Sequence, residues 1–454
     1  MSFASINPAT GEICEIFAEW SESATREVIE QVHSAGLSWR ETSFARRSGL
    51  MEQMAKILRS NKNRYARLMA EEMGKPVSGG RDEIEKCAWV CEFYARNAEG
   101  MLSDEPMESD GSKAYVAFRP LGVILAIMPW NFPFWQVFRF AVPALMAGNV
   151  AVLKHSSNVP RCALVVEELF REAGFPSDIL RTMMISSRQI NSVIENPHIK
   201  AVTLTGSDHA GRQVAVAAGR VLKKAVIELG GSDPFIVLAD ADLDEAARAG
   251  AKARCYNSGQ SCVAAKRFIV QDAVYGAFMP RFIHAMQSLK VGDPLHEETQ
   301  IGPQAREDLL NDLQEQVEQS VAMGAKVELG GKRLGGKGYF YPPTILTGVV
   351  PGMPAYHEEL FGPVAAVIRV KDEEEAIVVA NDSPFGLGGS VWTRDSEKGK
   401  RIAARIEAGS VEINGRVKSD PRLPFGGTKG SGYGRELSHY GIKEFVNIQT
   451  VWIK

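Results

Sequence analysis

GVILAIMP (122–129), NVAVLKHS (149–156), DILRTMMIS (178–186), HIKAVTLTGS (198–207) and KKAVIELGG (223–231) succeed one another with room for a helix between most of them. Each is a short apolar run without the alternation of a half-exposed strand, which is what strands covered on both faces look like. The intervening PRCALVVEELFREAG (160–174) has helix length, with Leu164, Val165, Leu169 and Phe170 among its apolar positions. This rhythm predicts an α/β fold built on a doubly wound parallel sheet. Ligands of such sheets gather outside the carboxyl ends of the strands. Here those ends are Pro129-Trp130-Asn131, Lys154-His155-Ser156-Ser157 and Thr205-Gly206-Ser207.

Before this region the chain reads as amphipathic helices, with Leu50, Met54, Ile57 and Leu58 on one face. After it a second α/β pattern runs through DPFIVLAD (233–240), KRFIVQD (266–272), TILTGV (344–349) and GPVAAVIRV (362–370). It ends in a loop rich in Gly, Arg and Lys, NGRVKSDPRLPFGGTKGSGYGRE (414–436). At 454 residues the chain exceeds the ~250–300 at which one core stops growing, so two lobes are expected. KAYVAFR (113–119) and FVNIQTVWI (445–453) alternate as half-exposed strands do, and could pair with each other or with another subunit.

A net charge of -3, from 52 basic and 55 acidic residues, gives no reason to expect nucleic acid or an anionic membrane as partner. The apolar stretch 121–153 is interrupted by prolines, glycines, Asn131 and Arg139, unlike a membrane span. No basic region followed by an apolar one opens the chain, so a cytoplasmic placement is expected. Six cysteines are too few for a disulfide framework. Cys14, Cys162 and Cys255 read as small packing residues, and Cys87 and Cys91 lack the further ligands of a zinc site, so no metal is expected.

Cys262 differs in its setting. SGQSC (258–262) presents it after a glycine-containing turn among small polar residues, which suits a nucleophile that needs thiolate character and open geometry; a buried packing thiol is the other reading. IELGG (227–231) ends a strand on Glu228, where partial burial would raise the carboxyl toward neutrality and let it take a proton from water; a solvated strand-end carboxylate is the alternative. PWNFPFW (129–135) places Asn131 where an uncharged amide could donate to an oxyanion, or satisfy a local turn. Arg139, the sole charge between 120 and 153, must either pair internally or face a cavity and bind an anion. TGSDHAG (205–211) joins a strand to a helix, whose free N–H groups could receive a pyrophosphate.

Together PWNFP, TGS followed by Gly211, ELGG, SGQSC, EELFGPV (358–364) and PFGGTKGSGYGRE (424–436) resemble, in order and across essentially the whole chain, the aldehyde dehydrogenase superfamily. The resemblance implies a Rossmann-like cofactor domain (1–107 and 124–227, with 423–439 returning to it), an α/β catalytic domain (228–422) and a small β oligomerisation ribbon (108–123 and 440–454). It implies Cys262 as nucleophile, Glu228 as general base, and Asn131 with the Cys262 backbone N–H as oxyanion hole. Cofactor contacts are implied for Pro129, Trp130, Lys154, Ser156, Ser157, Gly206, Ser207, Gly211, Leu229, Glu359 and Phe361. Family members that prefer NAD commonly carry Glu where Ser157 stands; without that repulsion, NADP is the expected cofactor, with NAD also usable.

The chain is most similar to short bacterial succinate semialdehyde dehydrogenases, in which an arginine after PWNFP and a serine in the late loop grip the distal carboxylate. Arg139 and Ser419 occupy those places, with Trp135 beside them; an internal ion pair is the other reading of Arg139. A broader aldehyde or glutarate semialdehyde dehydrogenase is the alternative activity, and a non-catalytic binding protein on this fold a remote one. A homodimer or a dimer of dimers is implied. Ala264 stands where many eukaryotic relatives have a second cysteine, which rules out that local disulfide.

Overall fold

The computed structural model describes residues 2–454. The apolar runs become a six-stranded sheet, in the spatial order Gly432–Tyr433, Lys224–Glu228, Ile199–Thr205, Val123–Met128, Val150–His155, Leu180–Thr182. All neighbours are parallel except Gly432–Tyr433, which returns from the late loop to pair antiparallel with Lys224–Glu228. The chain starts at Val123–Met128, winds outward to one side and then jumps back to Ile199–Thr205 on the other, so the topological switch falls between those two strands. Their apolar side chains are buried because helices cover them; Trp135–Met146 is buried along its whole length.

A second sheet of seven strands runs Lys326–Leu329, Thr344–Thr347, Val364–Val370, Ala265–Gln271, Asp233–Val237, Gly388–Trp392, Ser410–Ile413, parallel apart from its first member. The half-exposed stretches pair with each other: Val446–Ile453 lies antiparallel to Lys113–Pro120, with Glu105–Met107 on the far side. The ribbon therefore begins at Glu105–Met107 rather than at 108, Val123 belongs to the six-stranded sheet, and residues 440–442 lie in the helix Ser438–Ile442.

In the helix Pro160–Glu172, Val166, Leu169 and Phe170 turn inward, while Leu164 falls on the outer side of the apolar stripe. One local expectation differs. Cys14 is exposed, not packed: it lies in the hairpin Ser2–Ile6/Ile13–Ala18, whose second strand has no cover on most of its residues. Among the described residues no helix is long and apolar enough to cross a membrane.

Candidate active site

The residues after the strand Val123–Met128 turn sharply into the buried helix Trp135–Met146, and the turn is pinned at both ends. Glu83 Oε1 accepts the N–H groups of Phe134 and Trp135, both at 2.9 Å, while its other oxygen is ion-paired with buried Lys75. From the neighbouring strand, His155 Nε2 donates to the Pro133 carbonyl at 2.9 Å; Nδ1 accepts from Ser156 N–H, so the ring is neutral. Asn131 is thereby held beneath the Cys262 turn, where its Nδ2 donates to Gln260 O at 3.2 Å. A primary amide has two N–H donors, so one remains for a second acceptor.

Three consecutive left-handed residues build the turn that presents Cys262: Asn257 (φ 55°), Ser258 (φ 57°) and Gly259 (φ 78°). Non-glycine residues adopt this region at a cost, and persist there only when the surroundings over-determine them. They do so here. Asn257 Nδ2 donates to Asn131 O (2.8 Å) and Gln260 O (2.9 Å), Ser258 Oγ accepts Gly302 N–H (2.9 Å), and Arg254 donates to Gly259 O (2.7 Å). A Cβ on Gly259 would come within 2.2 Å of the Gly362 carbonyl carbon, so the turn is pressed against the segment carrying Phe361. Lys266 donates to the carbonyls of Ser261 (2.9 Å) and Cys262 (2.8 Å), closing the turn from the far side. The thiol itself is half-buried.

Glu228 ends its strand facing the thiol, fully buried. Its Oε2 accepts from Arg139 at 3.1 Å, and Oε1 has no hydrogen-bond partner among the described residues. Burial raises its carboxyl above the ordinary range, partly offset by the Arg139 charge. Burial, reinforced by the Glu228 carboxylate, pushes the Cys262 thiol well above its usual value, so the resting thiol is protonated and a base must assist its attack.

Arg139 also forms an ion pair with Glu436 at 2.7 Å and donates to Thr205 Oγ1 at 3.1 Å. The internal pair is formed in the structure. Two buried carboxyl groups converge on the guanidinium, while its Nε has no hydrogen-bond partner among the described residues and the side chain lines a cavity. Burial holds the Glu436 carboxyl up at about 7.

Above these groups lies a cavity of about 520 Å³ that Cys262 lines together with Phe132, Trp135, Arg139, Tyr256 and Ser419. Trp135 and Ser419, distant in sequence, are joined: Trp135 Nε1 donates to Ser419 Oγ at 3.2 Å. Lys86, which motif reading passed over, donates to the same oxygen at 2.7 Å. Glu436, Lys266 and Lys86 are the residues that local sequence reading missed. For Lys86 a signal existed, since it sits beside the stripe Glu83, Cys87, Val90 and Tyr94 that a helix buries.

Most of the residues with cofactor contacts implied by the resemblance stand at or just beyond the carboxyl ends of strands of the six-stranded sheet, with Gly211 in the helix that follows one of them. Ser207 caps the helix Asp208–Arg220, taking Ala210 N–H on its hydroxyl, and Gly206 N–H donates to Glu228 O. Gly211 leaves space that Leu229 fills: a Cβ there would lie 2.5 Å from Leu229 Cδ2. Lys154, buried enough for its ammonium to be drawn down, has no hydrogen-bond or ion-pair partner among the described residues; three residues on, Ser157 is exposed, and Ser156 is half-buried. Glu359 Oε1 takes Lys266 (3.0 Å) and Gly231 N–H (3.1 Å), leaving Oε2 available. Phe361 meets Trp130, which follows Pro129 at the strand end, edge-on at 5.7 Å. An unpartnered lysine, an exposed hydroxyl, a free carboxylate oxygen and a helix N-terminus fit a dinucleotide with ribose hydroxyls and phosphates.

Comparison with known proteins agrees with this geometry. The pattern of the aldehyde dehydrogenase family matches residues 1–451. A Synechocystis protein named probable succinate-semialdehyde dehydrogenase (NADP(+)) is 51% identical over the whole of both chains. A Mycobacterium tuberculosis protein named succinate-semialdehyde dehydrogenase (NADP(+)) 1 is 47% identical, again over both full lengths. A crystal structure of succinic semialdehyde dehydrogenase from Streptococcus pyogenes in complex with NADP+ is 39% identical, covers 99% of each chain and superimposes with a TM-score of 0.97. With the thiol, the facing carboxyl and the two-sheet frame all in place, the chain belongs to the aldehyde dehydrogenase family.

Proposed function

We propose that the protein oxidises succinate semialdehyde to succinate with NADP, through a thioester on Cys262. The observation that carries this reading is the pairing of buried Glu228 with Cys262, which lines the cavity of about 520 Å³ together with polar Ser419. Its substrate and cofactor follow from full-length relatives at 51% and 47% identity that bear that name.

The Cys262 sulfur adds to the aldehyde carbon as its proton passes toward Glu228, whose raised carboxyl is suited to shuttling protons near neutrality. The oxyanion that forms accepts from the remaining Asn131 N–H and the Cys262 backbone N–H. When bound, the nicotinamide supplies the hydride acceptor. Collapse of the thiohemiacetal leaves an acyl group on sulfur. Once Glu228 has released the thiol's proton to solvent, it takes a proton from water, which attacks the thioester carbonyl; the thiolate leaves and recovers that proton from Glu228 as the acid departs.

Ser157 and Lys154 support NADP: the hydroxyl can donate to a 2′-phosphate and the ammonium attracts it, with no carboxylate at position 157 to repel it. Steady-state turnover of succinate semialdehyde, measured with NADP and NAD in parallel, tests both parts. A larger kcat/KM with NADP is expected. A larger value with NAD overturns the cofactor reading, and a larger value for glutarate semialdehyde or butanal overturns the substrate reading.

The edge strand Val446–Ile453 exposes Ile448, Trp452 and Ile453, an apolar strip that supports a homo-oligomer assembled through the ribbon.

A further inference from the structure

Lys266 lies at the start of the strand Ala265–Gln271 with only 1% of its side chain exposed, and no step of the reaction above uses it. An ammonium has three N–H donors, and here each has an acceptor: Ser261 O at 2.9 Å, Cys262 O at 2.8 Å and Glu359 Oε1 at 3.0 Å. A counter-ion for Glu359 would need one of these bonds. The other two fall on the turn that carries the nucleophile.

The bond to Ser261 reaches further than its own carbonyl. A peptide unit is planar and trans, so Ser261 C=O and Cys262 N–H point in opposite directions across one rigid plane. Whatever fixes the carbonyl aims the N–H. Ser261 O accepts from Ala264 N–H at 3.1 Å as well as from Lys266, so both of its lone pairs are held. Cys262 N–H itself meets no acceptor among the described residues, and one of the two Asn131 donors is likewise free. A cation on a peptide oxygen also polarises the peptide, which makes the N–H at its far side a stronger donor. Glu359 is fixed in turn by Gly231 N–H at 3.1 Å. A chain of bonds thus runs from the end of the strand that carries Glu228, through Glu359 and Lys266, to the peptide that carries the free N–H.

We propose that Lys266 is a positioning residue of the oxyanion hole: held in place by Glu359, it aims and polarises the Cys262 N–H through the Ser261 carbonyl. This role rests on the thioester reading above, and the two fail differently in one experiment. The protein without NADP is treated with two probes of Cys262. With p-nitrophenyl acetate, sulfur bonds to the acetyl carbon through a tetrahedral oxyanion, the thiol's proton passes to Glu228 and nitrophenolate leaves. With iodoacetamide, the same sulfur displaces iodide from a methylene carbon and no oxyanion forms. Nitrophenolate release in the first turnover and peptide mapping give the two rates for the unaltered protein, Lys266→Met and Lys266→Arg.

Lys266→Met is expected to slow acylation at least about tenfold more than alkylation, a part of the roughly 10²–10³-fold that a whole oxyanion donor contributes, and Lys266→Arg to restore most of the loss. A role confined to holding the turn together would slow both reactions alike, because a displaced sulfur serves neither. Rates that fall together, or acylation that does not fall, overturn the proposal while the function stands. If Cys262 of the unaltered protein is not acylated, the thioester reading fails and the proposal with it. Where Lys266→Met does not fold, Lys266→Gln, uncharged and too short to hold all three acceptors, is judged by the same difference between the two probes.

Discussion

Glu228 illustrates how one side chain takes its properties from its neighbours. A strand-end carboxylate in water would be a weak base; full burial raises its carboxyl, while Arg139 keeps the ionised form accessible. Its loss should be felt after hydride transfer. Glu228→Gln is expected to lower steady-state turnover by about 10²–10⁴-fold, the usual worth of a positioned base, yet to leave a burst of reduced cofactor close to one per active site. Rapid-mixing absorbance reads both; absence of the burst would mean that Glu228 acts chiefly in activating the thiol. Cys262 and Glu228 stood out as candidates in short local patterns, which left a packing thiol and a solvated carboxylate open; their roles were implied only by the ordered motifs around them. The partner of Arg139 was not legible, because Glu436 lies in the late loop and reaches the helix Trp135–Met146 only after the chain has folded back.

At the scale of elements, the site depends on two tight junctions. The first is the left-handed turn Asn257–Ser258–Gly259, held by hydrogen bonds from both sheets' loops. Gly259→Ala would press a Cβ into the Gly362 carbonyl and favour a different backbone conformation. A loss of about 2 kcal/mol or more in stability is expected, with turnover falling further because Cys262 shifts; denaturant unfolding alongside assay at saturating substrate measures both.

The second junction is the end of the strand Val150–His155, where His155 is buried and neutral. Burial depresses it from 6.5 to about 4. Its folded form therefore binds a proton less readily than its unfolded form. The resulting stability is complete above about pH 6.5 and disappears as pH falls through about 4, amounting to about 3 kcal/mol. Urea unfolding between pH 4 and 7 should show that slope, and His155→Gln should flatten it. The strands were readable from their apolar runs, and the ribbon pairing from alternation. The turn's strain was not, since SGQSC carries a serine at a position where the backbone needs a left-handed residue.

Across the whole molecule, two sheets and a ribbon share one chain that crosses between them repeatedly. The segment 424–436 leaves the seven-stranded region, contributes Gly432–Tyr433 to the six-stranded sheet and brings Glu436 under the active cavity. The ribbon projects an open strand edge with Ile448 61% and Trp452 50% exposed. Replacing both with aspartate is expected to yield a smaller species by light scattering, because charge on a strand edge opposes pairing with another chain. An unchanged mass would place the subunit contact elsewhere.

The sequence by itself determined the doubly wound sheet and the order of the family motifs, and marked the thiol and the acid as candidates. These are properties of local periodicity and of consecutive residues, which covalent neighbours and burial of short runs suffice to set. Tertiary structure alone decided which charges meet. Arg139, the conspicuous charge in an apolar stretch, is met by carboxyl groups from two distant segments, whereas inconspicuous Lys266 is drawn to Glu359 and to the carbonyls of the catalytic turn. Electrostatic matching depends on distance in space and on exclusion of water, and neither can be read from separation along the chain.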